Sequence, residues 1–474
     1  MLLNSFDFIC IIPVVIAVYY LAAKTVFSRS TRLSNILLLL VSYAFYVTAV
    51  PAHTLILIGV TVVAYVFGRL IDSDRIKRKQ LAVTAGVCLA LVPLLTFKYY
   101  NFILLNAGRV FSLFGVETNF ASTSWIIPLG ISFFTFQALG YLFDVYRGTE
   151  RAEKNFLDFA LFVSFFPQIA SGPISRAGEL LPQIKSRREF RPEMFSSGLK
   201  LLLWGYFLKA VFADRLATYV NVVYADYNVF SGWSNFMASI LYSLQIYGDF
   251  AGYSLMAIGV GRLFGFDIVQ NFRRPYFSES ITEFWRRWHI SLSRWLRDYV
   301  YIGLGGNRRG KLRTYWNIIV TFAVSGIWHG ASLTFVAWGL IHGLVQCVEK
   351  LFRWNMPAER RLVKALKIAA TFLVVNFAWI FFRMPSFKAA FGVIRRILTM
   401  APGESVPVTN ANLFYMVFAV AVVLLKEIAE ETRPGLSVFN NRRIWVRWTG
   451  YLIVLFSILL FGVLDSSSFI YVNF

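Results

Sequence analysis

Cysteine is scarce in this 474-residue chain: Cys10, Cys88 and Cys347 all stand in apolar surroundings, with no CxxC pair and no Cys/His ligand spacing. A disulfide framework and a zinc site are therefore not expected. Charge is scarce as well. Only 15% of residues are charged against 57% hydrophobic and 18% aromatic, too little to dress a soluble domain of this size. Nor is there a GxSxG elbow, a phosphate-binding Gly-Lys-Ser/Thr loop, a zinc signature or a Gly-rich dinucleotide fingerprint in the right setting. No internal repeat or low-complexity tract occurs, which leaves an inverted-repeat transporter plan without support.

What remains is a chain built for lipid. A span needs roughly 20 apolar residues, and by that measure the chain accommodates about ten to twelve. Apolar runs lie at Phe8–Ala23, Asn35–Val50, Leu55–Leu70, Leu81–Phe97, Ile126–Tyr146, Phe156–Ala170, Leu199–Phe212, Met237–Phe264, Ile318–Ile327, Leu333–Val348, Val363–Phe382, Leu413–Leu425 and Tyr451–Leu464. The shorter runs suit re-entrant or interfacial helices as well as full crossings. With no hydrophilic stretch long enough for a second domain, residues 1–474 are expected to form one all-α, polytopic unit. The first run has no positive segment before it and reads as a retained span.

The net charge of +22, from 47 Lys plus Arg against 25 Asp plus Glu, sits in short clusters between apolar runs. That is the signature of cytoplasmic loops rather than of nucleic-acid binding. Lys24, Arg29 and Arg32 follow the first run and Arg75, Lys77, Arg78 and Lys79 the third, while the Pro51-Ala52-His53 turn between the second and third carries no Lys or Arg. These loops predict an N-terminus that faces outward, away from the cytoplasm. Arg147–Lys154, Lys185–Arg191 and Arg308–Arg313 are further cytoplasmic candidates.

Only four histidines occur, His53, His289, His329 and His342. Read as one helix, Phe284–Tyr299 places Trp285, Trp288, His289, Leu292, Trp295, Leu296 and Tyr299 on one face and leaves Arg286, Arg287, Arg294 and Arg297 mostly off it. This pattern fits an interfacial helix anchored by tryptophan. A histidine turned from water inside a membrane protein is nevertheless costly when charged, so it should find a partner or a cavity. In Ser325-Gly326-Ile327-Trp328-His329-Gly330 the glycines allow close approach of a second helix or of a ligand. His53 falls in an outer turn, and His342, 13 residues past His329, would point away on a continuous helix of 3.6 residues per turn. His289 and His329 are left as the candidate acid–base pair. Asp249, in Gln245–Tyr253, is a carboxylate inside an apolar run, suited either to a site or to a structural bond with Tyr or Ser hydroxyls.

In order along residues 125 to 345, seven segments resemble the bacterial membrane-bound O-acyltransferases. They are Pro128–Gln137, Phe165-Phe166-Pro167-Gln168, Ser171-Gly172-Pro173-Ile174, Asp249–Tyr253, the Arg286-Arg287-Trp288-His289 stretch, Leu304-Gly305-Gly306-Asn307 and Trp328-His329-Gly330, with a weaker echo at Leu3-Asn4-Ser5-Phe6. The likeness is greatest to the alginate O-acetyltransferase branch, which the Leu304–Asn307 motif supports over the D-alanyl transferases of teichoic acid modification. Leu255 departs from it, since an acidic side chain is expected two residues after Tyr253. The resemblance implies a ring of helices around a tunnel, with His329 as general base, His289 as an orienting or carbonyl-polarising partner, and Asp249, Tyr253, Trp285, Trp288, Trp328, Ser325 and Asn307 as substrate-binding candidates. It further implies no bound cofactor or metal, acetyl-coenzyme A or another cytoplasmic thioester as donor, and residence in the bacterial inner membrane. The expected partner is an extracytoplasmic serine esterase-like protein that finishes transfer to a polysaccharide. Two other classes are a proton-coupled transporter, with Asp249 and the histidines as relay, and a scaffold without catalysis. Thioester hydrolysis dependent on His329 would select the enzyme, and substrate-coupled proton flux the transporter.

Overall fold

A computed structural model describes residues 3, 5–25, 31–48, 50–116, 118, 122–433, 435 and 438–463. Asn4, Arg29 and Leu464, used above, lie outside the described residues. The described chain is helical, apart from one isolated parallel bridge between Phe230 and Glu404. Five described helical stretches are long and apolar enough to cross a bilayer: His53–Asp72, Lys79–Leu113, Arg361–Arg383, Asn410–Thr432 and Ile444–Phe461. Shorter apolar helices at Asp7–Leu21, Thr31–Val47 and Phe156–Ile169 add to them. The protein is a multi-pass membrane protein. Its described residues group into two compact units, one comprising 1–196 with 260–269, the other 197–259 with 270–474.

In the first unit two expected spans are shorter or interrupted. The run at Ile126–Tyr146 becomes helical only at Ile131. Gly130 precedes it at φ 67, where a Cβ would stand 1.8 Å from the Ile169 carbonyl oxygen, so only glycine fits both the left-handed backbone and the space. The run at Phe156–Ala170 divides into Phe156–Ser164 and Phe166–Ile169, because Phe165 takes φ -53, ψ 107. The residue before Pro167 is thereby the first of a new helix, and proline, with no N–H to donate, suits that first turn. Two polar side chains of the motif series serve the backbone here: Gln137 Nε2 donates to the Phe162 carbonyl at 2.7 Å and Gln168 Nε2 to that of Pro173 at 3.0 Å.

The second unit carries both candidate histidines. Within the helix Gly232–Leu263, Gly252 meets Gly205 so closely that a Cβ on either would lie 2.8 Å from the other's carbonyl oxygen. Lys311–His329 and Leu333–Leu351 form a helical hairpin through Gly330-Ala331-Ser332, with Ser332 capping the second helix by accepting from Thr334 N at 3.3 Å. Gly326 and Gly339 let the two backbones touch: Cβ atoms there would lie 2.3 Å from the Phe335 oxygen and 2.2 Å from that of Phe322.

The Trp-His segment departs from the single amphipathic helix expected. It comprises Ile281–Arg287, a break at Trp288 and His289, Ile290–Trp295, and a π-helical turn at Leu296–Tyr301. His289 has φ 42, ψ 54, a left-handed conformation that costs a non-glycine residue about 1–2 kcal/mol and ends any continuous helical face. Arg274 and Arg287 brace the segment against Glu431 at 2.7 and 3.0 Å, and Arg287 also pairs with Glu283 at 2.7 Å.

Candidate active site

His329 is the last residue of its helix and is 2% exposed. Its Nδ1 lies 2.7 Å from the Ser325 carbonyl one turn earlier. A carbonyl only accepts, so Nδ1 carries the proton and Nε2 the lone pair. His289, fully buried, has Nδ1 3.1 Å from Asn271 Oδ1. Trp328 stands against both, its ring centre 5.9 Å from that of His289 and 4.9 Å from that of His329. The remaining walls are aromatic. Phe250 meets His289 edge-on at 4.6 Å, Trp338 and Phe382 meet His329 at 4.7 and 5.6 Å, and Trp379 joins Trp288 at 5.1 Å to Trp338 at 5.5 Å. Such a shell shields the imidazoles from bulk solvent, a setting suited to proton transfer between bound groups.

A cavity of about 560 Å³ adjoins this shell, within the usual range for small-molecule sites. Trp285 and Ser325 are part of its lining, and Arg286, Arg294, Arg297 and Lys350 supply four cations. Trp285 Nε1 and Ser325 Oγ are buried and have no hydrogen-bond partner among the described residues. Since the Ser325 carbonyl holds His329, one residue joins the cavity to the imidazole. Of the four arginines expected to lie off the apolar face, Arg286, Arg294 and Arg297 line this cavity, while Arg287 turns to Glu283 and Glu431.

The structure gathers Trp285, Trp288, His289, Ser325, Trp328 and His329 in one neighbourhood. Tyr253 is buried in the long helix, and Asn307 is exposed on the turn before Lys311. Asp249 has a partner that the sequence reading did not consider: Lys209 Nζ, 2.6 Å away and also 2.8 Å from Asp214, with all three side chains buried. His342 is corrected. The expectation that it points away assumed a continuous helix, but the chain reverses at 330–332, and His342 lies fully buried with its ring 5.3 Å from Trp285 and 5.2 Å from Trp338. His53 begins its helix, edge-on to Phe97 at 5.8 Å, as a packed residue.

Asn271 and Lys209 went unnoticed in the sequence, and His342 was set aside. Lys209 was legible by the rule that drew attention to Asp249, a charge within an apolar run; Asn271 offers no such signal.

The pattern of the membrane-bound O-acyltransferase family matches residues 150–389. A probable alginate O-acetylase of Pseudomonas aeruginosa is 38% identical over 412 residues, 86% of this chain and 77% of the relative. The chain belongs to the membrane-bound O-acyltransferase family. Within it, a peptidoglycan O-acetyltransferase of Helicobacter pylori is 34% identical over 403 residues, covering 78% of this chain and 74% of its own. A teichoic acid D-alanyltransferase of Bacillus subtilis is 29% identical over 273 residues, 54% of this chain and 68% of its own. Like other members of the membrane-bound O-acyltransferase family, the protein is an O-acyltransferase, and both candidate histidines fall inside the matched region.

Proposed function

We propose that the protein takes an acetyl group from a phosphate-bearing cytoplasmic thioester, of the acetyl-coenzyme A type, and passes it toward an extracytoplasmic polysaccharide or peptidoglycan. The observation that carries this reading is the link through Ser325 between a cavity holding four cations and a histidine with its lone pair on Nε2. Guanidinium and ammonium groups suit phosphate, and Trp285 Nε1 and Ser325 Oγ offer hydrogens to the carbonyl or amide oxygens of the donor arm. An acceptor hydroxyl gives its proton to His329 Nε2 as its oxygen bonds to the thioester carbon; the C–S bond breaks, and the departing thiolate recovers the proton from the imidazolium. Proton count and charge balance, so the reaction needs no redox partner. The greater coverage and identity of the acetylating relatives favour acetyl over D-alanyl as the group carried.

In this reading the N-terminus is periplasmic, and Arg75–Lys79 and Arg308–Arg313 face the cytoplasm of a bacterial inner membrane, where the thioester is made. A separate serine esterase-like protein outside the membrane accepts the acetyl group and completes transfer to the polymer.

The test is purified full-length protein in liposomes with acetyl-coenzyme A, measuring free thiol release and, in parallel, proton flux. Thiol release that disappears with His329→Ala is the expected result. Proton flux coupled to a solute without any thiol release would replace the enzyme reading with the transporter.

A further inference from the structure

Asn271 lies 18 residues before His289 and contacts it at the point where the Trp-His segment breaks. It is fully buried. Its Oδ1 accepts from Ser291 N at 3.1 Å and from Ser291 Oγ at 2.9 Å, besides meeting His289 Nδ1 at 3.1 Å. The backbone N–H of Ser291 can only donate, which fixes the facing atom as the amide oxygen. Its Nδ2 donates to Ser254 Oγ at 3.2 Å, and its own carbonyl accepts from Ile290 N at 2.9 Å. One side chain and its carbonyl thus satisfy the backbone N–H groups of Ile290 and Ser291 that follow His289, and hold the ring as well.

We propose that Asn271 is a positioning residue for acyl transfer, setting His289 in its left-handed backbone conformation and in the tautomer whose Nε2 is a hydrogen-bond acceptor. With the Nδ1 proton committed to an oxygen that only accepts, neutral His289 has no N–H at Nε2 to polarise a carbonyl. Of the two roles open to His289, orienting and polarising, this leaves orienting: its Nε2 accepts from the hydroxyl that His329 is to deprotonate, or from a water beside it, and so aims that group at the thioester. The inference rests on the acyl-transfer reading above.

The experiment is a double-mutant cycle in the full-length protein in liposomes, with acetyl-coenzyme A as the probe and kcat and KM for thiol release measured separately. Asn271→Leu removes the acceptor oxygen at similar volume and should lower kcat by about 10- to 100-fold, the range known for the outer partner of a metal-bound histidine and carried over here to an acyl-transfer one, with KM within about twofold. Asn271→Asp keeps the oxygen, and Ser254 can turn its hydroxyl to donate, so it should recover most of the rate. In a His289→Ala background Asn271→Leu should cost nothing further, because the ring it serves is gone. An equal loss in both backgrounds, or an Asp variant as slow as the Leu variant, would make Asn271 a merely structural residue and overturn the proposal. If Asn271→Leu aggregates on size exclusion, Asn271→Ser, one atom too short to reach the ring, runs the same cycle. A wild-type chain that releases no thiol defeats the functional reading instead, an outcome distinct from additive variants of an active enzyme.

Discussion

Gly326 offers the sharpest quantitative test of how the hairpin places the base. It lies three residues before His329 on the same helix. A Cβ at Gly326 would stand 2.3 Å from the Phe335 carbonyl oxygen and 3.0 Å from both the Phe335 carbonyl carbon and the Val336 Cα. These are backbone atoms of the facing helix, with no flexible side chain to turn aside. Ordinary contact begins near 3.4 Å, so Gly326→Ala must open the crossing by about 1.1 Å. His329 rides on the helix that moves, while the cavity-lining Gln346 and Lys350 ride on the other. A misplacement of about 1 Å at a reacting group can cost about 10²-fold in rate. The expected result is therefore a kcat for thiol release lowered about 100-fold in protein that still elutes as a folded species. Gly59→Ala is the control, because a Cβ there meets nothing within 4 Å. Folded Gly326→Ala with wild-type kcat would refute the claim that the close crossing positions His329.

Three further outcomes follow from the site. His329→Ala should lower acetyl transfer by about 10²- to 10⁴-fold, the usual worth of a general base, while His289→Asn, whose amide suits a left-handed backbone, should keep part of the activity that His289→Ala loses; both are read as initial rates in membranes with matched protein amounts. Arg294→Glu and Arg297→Glu should raise the KM for acetyl-coenzyme A more than tenfold with kcat little changed, as expected for lost ground-state binding of phosphate; an unchanged KM would remove the cavity as the donor site. Single cysteines placed at Lys77 and Arg309 should resist an impermeant thiol reagent added to intact cells, and labelling from outside would reverse the proposed orientation.

The membrane class, the helical fold and both candidate histidines were legible in the sequence, because long apolar runs and ordered motifs are local patterns. What escaped it depends on contacts between distant residues. Periodicity alone carries a helix straight through His289; the left-handed turn there is held by Asn271, which has no periodic relation to it. Likewise the rotation argument for His342 failed at three residues, 330–332, that reverse the chain and bring that ring to Trp285. Gly130 was legible as part of a motif, but its reason, a carbonyl 1.8 Å from where a Cβ would stand, exists only in three dimensions. Lys209 was within reach: a rule that picks out buried carboxylates in apolar runs should be applied to lysines as well.

The π-helical turn at Leu296–Tyr301 has a consequence for chain length. Ile302 N bonds back to the Arg297 oxygen at 2.9 Å, a five-residue closure that holds one residue more per turn than an α-helix. Arg297 and Tyr301 both line the cavity across this turn. Removing one residue between them would let the turn close as an α-helix, so the deletion is absorbed within the turn and the chain after it keeps roughly its facing, whereas the same deletion in a purely α-helical stretch would swing everything after it by about 100°. A relative shorter by one residue at this point therefore keeps its later side chains facing as here, and an alignment carried without a gap through 296–301 would pair side chains that look in different directions.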